Sequence, residues 1–523
     1  MSKKKLVKNR HPKGDRELVA ASGQGVAINA YGNSGKVVWD GEANVTQFGQ
    51  MPFFIDFLKT TNLFNAWVES CPLKYTSHNA PEVRDLLGTT MMSILAGHTR
   101  YAHITSIRSD RVNPELLGMS KVVSEDSVRR GFSKIDEEAG ADWLRTQLKN
   151  SYDALLSEPW ILDIDTTVKP LYGHQEGAVV GYNPTKPGRP SHVYHSYVIG
   201  NLRLILDVET QAGNESSSAH AQPGLWKVID DLAKSHRPRL IRGDCGFGNE
   251  KVMLEAESRS LDYLFKMKQT NNVKKLISRC ISKGEWTDAG QGWEGVWSSI
   301  KLVGWANERR VLVIRRELKG NLVLVDDKKI QPVDTKKRLP KQMALIEVED
   351  GAKYEYAVLV TPLKDEVLTV AQLYRDRADV ENVFDEMKNQ WSWGGFTTRD
   401  LDRCKLMARI SALVFNWWSL FSGLVLPDKH AEAITSRPLL LYSVGRQTMH
   451  AGQQTITVTS SHGKSKKIEN ALRNASSFLL RIRNTAEQLT SLERWKLILS
   501  RIFARFLKGR ILGPPKLLAF YPA

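Results

Sequence analysis

The spacing of hydrophobic residues divides the chain into regions of different secondary structure. Between about residues 53 and 132, apolar side chains recur every three or four positions, which predicts amphipathic helices. From residue 160, short apolar runs such as WILDID alternate with helical stretches, and Gly200-Asn201 forms a hairpin turn between two of them. Residues 286–360 contain strand-like runs, among them VWSSIKLVGW, RRVLVIRR and NLVLVD, and helical spacing resumes near residue 366.

This order of elements predicts an α/β fold built on a mixed sheet with flanking helices. A β-rich insertion interrupts the sheet, and the N- and C-terminal regions are helical. We divide the chain into a basic, flexible arm (1–40), a helical domain (41–150), a core in two parts (151–275 and 366–425), the insertion (276–365) and a basic helical C-terminal region (426–523).

Three features bear on where the protein resides. The uncharged stretch Ile410–Pro427 is long enough to be weighed as a membrane span, but Asn416, three serines and a glycine favour a buried helix. The N-terminus is basic and lacks the apolar stretch of a signal peptide. The four cysteines form no CxxC pair, which argues against a zinc knuckle and a disulfide framework: Cys71, Cys245, Cys280 and Cys404. We therefore expect a cytoplasmic protein with no membrane partner.

The net charge of +17 is unevenly distributed along the chain. Residues 1–16 carry +6 and residues 401–523 carry +13, which leaves about −2 for the middle. This distribution suggests that the ends hold a polyanion on which the centre acts. Ser124 or Ser127 is a candidate cap for a helix that presents Arg129 and Arg130, which suits a helix-turn-helix-like DNA reader. A solvated helix face is the alternative explanation of these arginines.

Carboxylates follow two of the predicted strands. Asp163 and Asp165 end the strand in LDIDTT, and residues two apart on a strand lie on the same face of the sheet. Asp244 ends a second strand in RGDCGFG. Carboxylates gathered at strand ends are typical ligands of Mg²⁺ or Mn²⁺. Turn initiation or helix capping explains Asp244 alone, but it explains two aspartates on an apolar strand poorly.

A third acidic residue lies in a helical pattern, YRDRADVENVFDEMK. Tyr374, Arg377, Glu381 and Lys388 stand at relative positions 0, 3, 7 and 14. On one continuous helix they would form a single stripe about 60° wide. Glu381 would supply a third metal ligand, and the cations on adjacent turns would meet phosphate oxygens. The alternative is a solvent-facing stripe with an ordinary ion pair between residues four apart.

Taken together, these motifs resemble the DDE transposases of bacterial insertion sequences. The similarity is to the cut-and-paste group with the Tyr-x2-Arg-x3-Glu-x6-Lys signature, which Tyr374, Arg377, Glu381 and Lys388 match at every spacing. The LDIDTT and RGDCGF segments match the family's two aspartate motifs. The resemblance implies a ribonuclease H-like core that binds transposon ends and target DNA, cleaves and joins strands through a hairpin intermediate, and acts as a dimer.

The resemblance also implies roles for individual residues. Asp165, Asp244 and Glu381 would bind two Mg²⁺ ions, for which Mn²⁺ can substitute, and Asp163 is the less favoured alternative to Asp165. Arg377 and Lys388 would hold backbone phosphates and Tyr374 a terminal phosphate. In the better-known members, a tryptophan of the insertion stacks on a base flipped from the DNA end. The candidates are Trp293 and Trp297, with Trp286 and Trp305, although tryptophans are more often core residues.

Two other functions remain open from the residues alone. Asp-x-Asp-x-Thr after an apolar strand also occurs in haloacid-dehalogenase-type phosphatases, in which Asp163 would be the nucleophile and Asp165 the general acid. That hypothesis leaves the Tyr374–Lys388 stripe and the basic ends unexplained. The second alternative is a DNA-binding protein that descends from a transposase and no longer cuts, because intact acidic residues do not prove an assembled site.

Overall fold

The computed structural model describes residues 25–32, 34–77, 79–183, 186–221, 223–318, 344–347, 353–428, 430–459, 463–485 and 489–513. Most of the predicted basic arm and the predicted strand NLVLVD at 321–326 lie outside these ranges.

The secondary structure follows the predicted order of helices, strands and helices. The α-helices are α1 (Met51–Thr61), α2 (Leu63–Glu69), α3 (Val83–Leu95), α4 (Val112–Leu116), α5 (Glu125–Phe132), α6 (Glu137–Tyr152), α7 (Ser217–His220), α8 (Gly224–Asp230), α9 (Glu250–Ser258), α10 (Asn271–Lys283), α11 (Val367–Arg375), α12 (Ala378–Asn389), α13 (Leu401–Val425), α14 (Ala433–Leu440), α15 (Ser465–Asn484) and α16 (Ser491–Ile502). The strands are β1 (Val26–Asn29), β2 (Ser34–Val37), β3 (Val45–Thr46), β4 (Ile161–Pro170), β5 (Val179–Val180), β6 (Pro190–Ile199), β7 (Leu204–Ala212), β8 (Leu240–Gly243), β9 (Asp262–Lys266), β10 (Thr287–Gly290), β11 (Trp293–Ile300), β12 (Arg309–Glu317), β13 (Ala344–Glu347), β14 (Lys353–Val360), β15 (Gly445–His450) and β16 (Gln453–Val458).

One large mixed sheet forms the centre of the molecule. Its strands run in the order β10-β11-β12-β14-β9-β8-β4-β6-β5, with β7 paired to β6 and β13 to β14. Strands β4, β8 and β9 are parallel, whereas β6 and β7 complete an antiparallel meander from β4. The predicted hairpin at Gly200-Asn201 is confirmed as the turn between β6 and β7.

The strands of the insertion extend this sheet and do not form a separate one. Strand β14 pairs antiparallel with β9, where Leu359 lies opposite Lys266 and Val360 opposite Phe265. The insertion therefore covers the backbone groups that β9 would otherwise leave at an exposed edge. Helix α11 packs against β10, β11 and β12 on one face of this extension, and α10 packs against β11.

The predicted helical regions at the two ends of the chain pack against each other. Helix α1 lies on α15, where the Arg483 guanidinium pairs with the Asp56 carboxylate. Strand β3 pairs with β15, so residues far apart in sequence share a small sheet with the hairpin β15–β16. The N- and C-terminal regions therefore contribute to one hydrophobic core with the central sheet.

Helix α13 is the central element of that core. The stretch Ile410–Pro427, weighed above as a membrane span, falls largely within it, and nearly all of its side chains are buried against the sheet and neighbouring helices. Among the described residues, none of the helices has the length and apolar character needed to cross a membrane. The prediction of a buried helix is confirmed for this stretch.

A buried amide connects α13 to the edge of the sheet. The Asn416 side chain accepts a hydrogen bond from the Ile205 N–H at 2.8 Å and donates one to the Ile205 carbonyl at 2.8 Å. Ile205 belongs to β7, whose strand pairing among the described residues is with β6 alone. Asn416 thus takes the place of a missing neighbouring strand and satisfies both backbone groups.

We expect Asn416→Leu to lower the free energy of unfolding by about 2–5 kcal/mol, because two buried backbone groups lose their partners. Asn474→Leu makes the same change at an exposed position of α15 and should alter stability by about 0.5 kcal/mol or less. Thermal and chemical denaturation of both variants would test this. Equal stabilities of the two variants would contradict it.

Candidate active site

Two parallel strands bring Asp165 and Asp244 next to each other, where the pairing of β4 with β8 ends. Strand β4 pairs in parallel with β8 so that Ile164 lies opposite Gly243, and the next residues in the two segments are the two aspartates. The Asp165 carboxylate accepts a hydrogen bond from the Thr166 N–H at 2.8 Å, and the Asp244 carboxylate accepts one from the Gly246 N–H at 2.9 Å. The prediction that Asp163 and Asp165 end their strand is wrong, because β4 continues to Pro170 along β6 and only its pairing with β8 ends at Ile164. The point at which two parallel strands part, at the carboxyl end of β8, is where α/β sheets form their binding crevices.

The acidic helix differs from the sequence prediction in one respect. We predicted a single helix through Tyr374, Arg377, Glu381 and Lys388, and this prediction is wrong because the helix breaks at Asp376–Arg377. Tyr374 lies in the last turn of α11, whereas Glu381 and Lys388 belong to α12. The break is tight, since the Arg377 N–H bonds the Tyr374 carbonyl at 3.2 Å and the Val380 N–H bonds the Arg377 carbonyl at 2.9 Å. These bonds span three residues instead of four, as in a 3₁₀ turn.

Arg377 connects the acidic helix to the strand that carries Asp165. One guanidinium nitrogen lies 2.9 Å from the Asp165 carboxylate, and another lies 2.8 Å from the Glu381 carboxylate. The Arg377 side chain is 6% exposed, whereas that of Glu381 is 61% exposed. A buried guanidinium is tolerated only when carboxylates pair with it, so Arg377 and the two acidic residues stabilise one another.

Asp244 and Glu381 lie close enough to Asp165 to affect its ionisation. The pKa of Asp165 is raised to about 6, mainly by burial and also by the neighbouring charges of Asp244 and Glu381, against the opposing effect of Arg377 and the Thr166 N–H. Three carboxylates therefore surround one guanidinium, that of Arg377, and the negative charge exceeds the positive charge. Such an environment is typical of sites that bind cations or do chemistry.

The donor atoms at this site fit Mg²⁺ or Mn²⁺. Asp165, Asp244 and Glu381 offer carboxylate oxygens, which these hard cations prefer. With Arg377 inserted between Asp165 and Glu381, however, no three His, Cys, Asp or Glu side chains in the described ranges stand as a ready metal cluster. Binding of an ion by these carboxylates would therefore require Arg377 to release at least one of them.

Asp163 has a different environment from Asp165. Its side chain is completely buried, and Arg242 binds both of its carboxylate oxygens, at 2.8 and 2.6 Å. Arg242 also donates a hydrogen bond to the Leu373 carbonyl in α11. Asp163 has neither a free oxygen nor access to a substrate, as the phosphatase alternative would require of a nucleophile. Arg242 is not among the residues predicted for the site, although an arginine within the buried strand LIRG is a signal for a buried acidic partner.

The other cationic and aromatic residues predicted for the site fall into two groups. Burial and the charges of Asp244 and Glu381 raise the pKa of Tyr374, although Arg377 lowers it, which places its ring beside the carboxylates. Lys388, at the end of α12, and Arg129, on α5, line the same groove. Arg130 is exposed, pairs with Asp126 at 2.5 Å and is not part of that lining.

Comparison with known proteins identifies the family. The family model described as "Transposase DDE domain group 1" matches residues 60–476, which include all three carboxylates. The chain belongs to the DDE transposase family. Membership implies an enzyme that cleaves DNA and transfers strands, and transposases of this family generally use divalent metal ions.

The similarity of this transposase to a solved structure is weak. The structure is similar to a piggyBac transposase synaptic complex with hairpin DNA, with 12% sequence identity over 87% of this chain and 85% of that chain and a TM-score of 0.37. A likeness at that level carries no argument about the fold or the function. None of the curated protein sequences matches the chain.

The tryptophans considered for base stacking in this transposase already have neighbours on one ring face. The Arg316 guanidinium lies 4.9 Å from the Trp293 ring centre, and the Arg310 guanidinium lies 3.6 Å from that of Trp297. An arginine also lies over each of the other two candidates: Arg315 over Trp286 and Arg309 over Trp305. Trp293 and Trp297 are partly buried in the apolar layer beneath α11. Part of each ring therefore packs in the core, as expected of a core residue.

The raised pKa of Asp165 predicts a pH-dependent stability difference between the wild type and Asp165→Asn. A carboxyl group whose pKa rises from 3.8 to about 6 on folding destabilises the folded state above pH 6, by at most about 3 kcal/mol. This penalty disappears as the pH falls from 6 to 4. The stability of Asp165→Asn relative to the wild type should therefore be greatest at pH 7 and decrease toward pH 4.

Thermal unfolding in EDTA between pH 4 and pH 7 would measure this difference. Asp231→Asn, at an exposed position, controls for the substitution itself. A difference that stays constant over the range, or that grows as the pH falls, would contradict the prediction.

Proposed function

We propose that this transposase binds the terminal inverted repeats of its insertion sequence and catalyses metal-dependent cleavage and strand transfer at Asp165, Asp244 and Glu381. The observation that carries the proposal is the shared environment of these carboxylates around Arg377, although they come from distant parts of the sequence. A carboxylate within β4 beside one at the end of the adjacent parallel strand β8, in a mixed sheet covered by helices, supports a ribonuclease H-like core. The proposal includes a bacterial, cytoplasmic enzyme that is nucleoid-associated when bound to DNA.

The three carboxylates would hold the divalent ions, two Mg²⁺ or Mn²⁺, with Asp165 at the centre of the set. Bound ions of this kind activate the attacking oxygen at a phosphodiester and stabilise the leaving oxygen. Hydrolysis, hairpin formation and strand transfer can then use the same site, because they differ only in the attacking hydroxyl. The raised pKa of Tyr374 keeps its phenol protonated, so it suits hydrogen bonding to a terminal phosphate better than nucleophilic attack.

The cations of the signature would position the DNA. Lys388 is exposed on the last turn of α12 and is free to meet a backbone phosphate. Arg377 is engaged with Asp165 and Glu381, so it can reach a phosphate only after it releases them. We assign the helical domain at 41–150 and the basic C-terminal region to DNA binding, and the latter also to assembly of a dimer that joins two element ends. Trp293 and Trp297 remain candidates for holding a flipped base once their arginines move.

The first test of this proposal removes the carboxylate charge at each acidic position. Asp165→Asn, Asp244→Asn and Glu381→Gln should each lower excision by at least about a thousandfold, because each removes a ligand for the ions. Metal-free DNA binding should be unchanged. Excision is measured from a plasmid that carries the gene with its native flanking DNA, so the terminal repeats need not be known.

Asp379→Asn is the matched control in the same helix. Asp379 pairs with Arg203 at 3.0 Å, and this change should preserve excision. Excision that persists in all three acidic variants would reject the proposal. DNA binding by the wild type without metal-dependent cleavage would favour the alternative of a non-cutting descendant.

A second test concerns the cation that occupies the site. Arg377→Gln should increase the affinity for Mn²⁺ about tenfold or more, since the guanidinium no longer competes for Asp165 and Glu381. Titration calorimetry and the electron paramagnetic resonance signal of free Mn²⁺ measure this without any reference to activity.

Arg145→Gln is the control for removing an arginine from a carboxylate pair. Arg145 binds Asp207 at 2.8 Å and Glu209 at 2.7 Å, away from the proposed site. This variant should bind Mn²⁺ as the wild type does. Unchanged or weaker Mn²⁺ binding by Arg377→Gln would show that the arginine does not compete with the ion.

A further inference from the structure

A long groove adjoins the acidic site on the side of the N-terminal helices. Its volume is about 1330 Å³, and its walls come from three parts of the chain: residues 99–102 with Arg129 of α5, residues 170–175 after β4, and residues 394–399 between α12 and α13. Lys388 and Asn389, at the end of α12, also line it. Because Lys388 follows Glu381 by two helical turns and residue 170 follows Asp165 along β4, the groove leads directly away from the carboxylates.

Cations dominate the charged lining of this groove. They are Arg100, Arg129, Lys388, Arg399 and Arg403, against the single carboxylate of Glu125. Arg129 pairs with Asp126 at 3.2 Å, and Arg403 pairs with Asp400 at 2.7 Å. The side chains of Arg100, Lys388 and Arg399 are exposed and have no acidic partner within the described ranges. Unpaired cations in a concave surface attract a polyanion.

The groove walls are held in place by hydrogen bonds between segments that are distant in sequence. The Phe396 N–H bonds the Thr99 carbonyl at 2.7 Å, and the Lys169 ammonium donates to the Gly395 carbonyl at 2.6 Å. A side chain at Gly395 would clash with the Thr99 carbonyl, because its Cβ would lie 2.3 Å from that oxygen. The Glu176 N–H bonds the Arg399 carbonyl at 2.9 Å. Arg100 and Arg399 are therefore presented from backbone that is already fixed.

The phenylalanine and tyrosine rings of the groove are buried or lie against cations. Tyr101 and Phe396 are buried against each other, with ring centres 5.0 Å apart. Tyr172 is 67% exposed, but Lys186 and Arg189 each lie 4.8 Å from its ring centre. Binding of single strands relies on stacking of bases on free aromatic faces, whereas binding of a duplex relies on cations that meet phosphates. The lining favours a duplex.

We propose that this groove binds the sugar-phosphate backbone of the DNA duplex next to the scissile bond, with Arg100 and Arg399 as phosphate ligands. The inference rests on the proposed transposase function and names residues that the family signature does not contain. The duplex would extend from the carboxylates along the groove toward α5. Affinity from such contacts is independent of sequence and falls steeply with salt.

The experiment compares the double variant Arg100→Gln/Arg399→Gln with the wild type. A fluorescein-labelled 30-base-pair duplex of arbitrary sequence is titrated by fluorescence anisotropy, in EDTA and between 50 and 200 mM NaCl. The loss of two phosphate contacts should weaken binding about tenfold or more at 50 mM and reduce the slope of log K against log salt by about 2. Each single variant should reduce that slope by about 1.

Arg239→Gln/Arg279→Gln is the charge-matched control. Arg239 is exposed just before β8, at the opposite end of that strand from Asp244, and Arg279 is exposed on α10. This double variant should bind the duplex with the affinity and salt slope of the wild type. Melting temperatures and circular dichroism spectra of both double variants verify that each is folded.

The remaining outcomes separate this inference from the function on which it rests. Wild-type affinity and slope in Arg100→Gln/Arg399→Gln would overturn the groove assignment while leaving the acidic site untouched. A larger loss of affinity for a 30-nucleotide single strand than for the duplex would overturn the choice of a duplex. Absence of duplex binding by the wild type would overturn both proposals. Weakened binding together with excision by the carboxylate variants would support the groove and reject the acidic site.

Discussion

The buried ion pair between Asp163 and Arg242 is the interaction on which the position of the acidic site depends. It joins β4 to β8, and the hydrogen bond from Arg242 to the Leu373 carbonyl joins both strands to α11. Both side chains are excluded from water. Removal of either one would leave a buried charge without its partner, at a cost of about 3 kcal/mol or more. Asp165 lies in β4 two residues after Asp163, Asp244 directly follows β8, and Tyr374 follows Leu373. One interaction therefore fixes both halves of the site relative to each other.

Two acidic clusters in the same protein differ in how their charge is compensated, which separates the proposed site for ions from a structural cluster. Burial alone would raise the pKa of Asp207, but Arg409 and Arg145 lower it below its usual value, and His220 contributes to the same effect on Glu209. That cluster is electrostatically satisfied. The set around Asp165 has three carboxylates and one buried guanidinium, and the pKa of Asp165 rises to about 6. Uncompensated charge costs stability, and proteins retain such a cost mainly where function needs it.

Sequence patterns predicted where strands occur along the chain better than how those strands pair. The runs in LDIDTT and RGDCGFG predicted strands that end in aspartates, but their parallel pairing depends on contacts between distant segments. Helical spacing through Tyr374 and Glu381 could not reveal the break at Arg377, because the residues at the break keep right-handed helical backbone angles. Arg100 and Arg399 carried no signal, since each is a single arginine in a polar segment. Tertiary contacts, among them the hydrogen bond from the Phe396 N–H to the Thr99 carbonyl, bring them into one groove.

Net charge along the chain does not reveal the groove that we propose as a DNA-binding surface. Arg100, Arg129, Lys388 and Arg399 all come from the stretch whose charge sums to about −2, yet they line one groove. The carboxylates of that stretch do not cancel the charge of these cations, because many of them pair with other basic residues. Glu250 and Glu257, for example, pair with Arg309. A duplex in the groove would bring phosphate charge toward carboxylates that already repel one another. Because bound cations relieve that repulsion, DNA and divalent ions must favour each other's binding at such a site, as linkage requires.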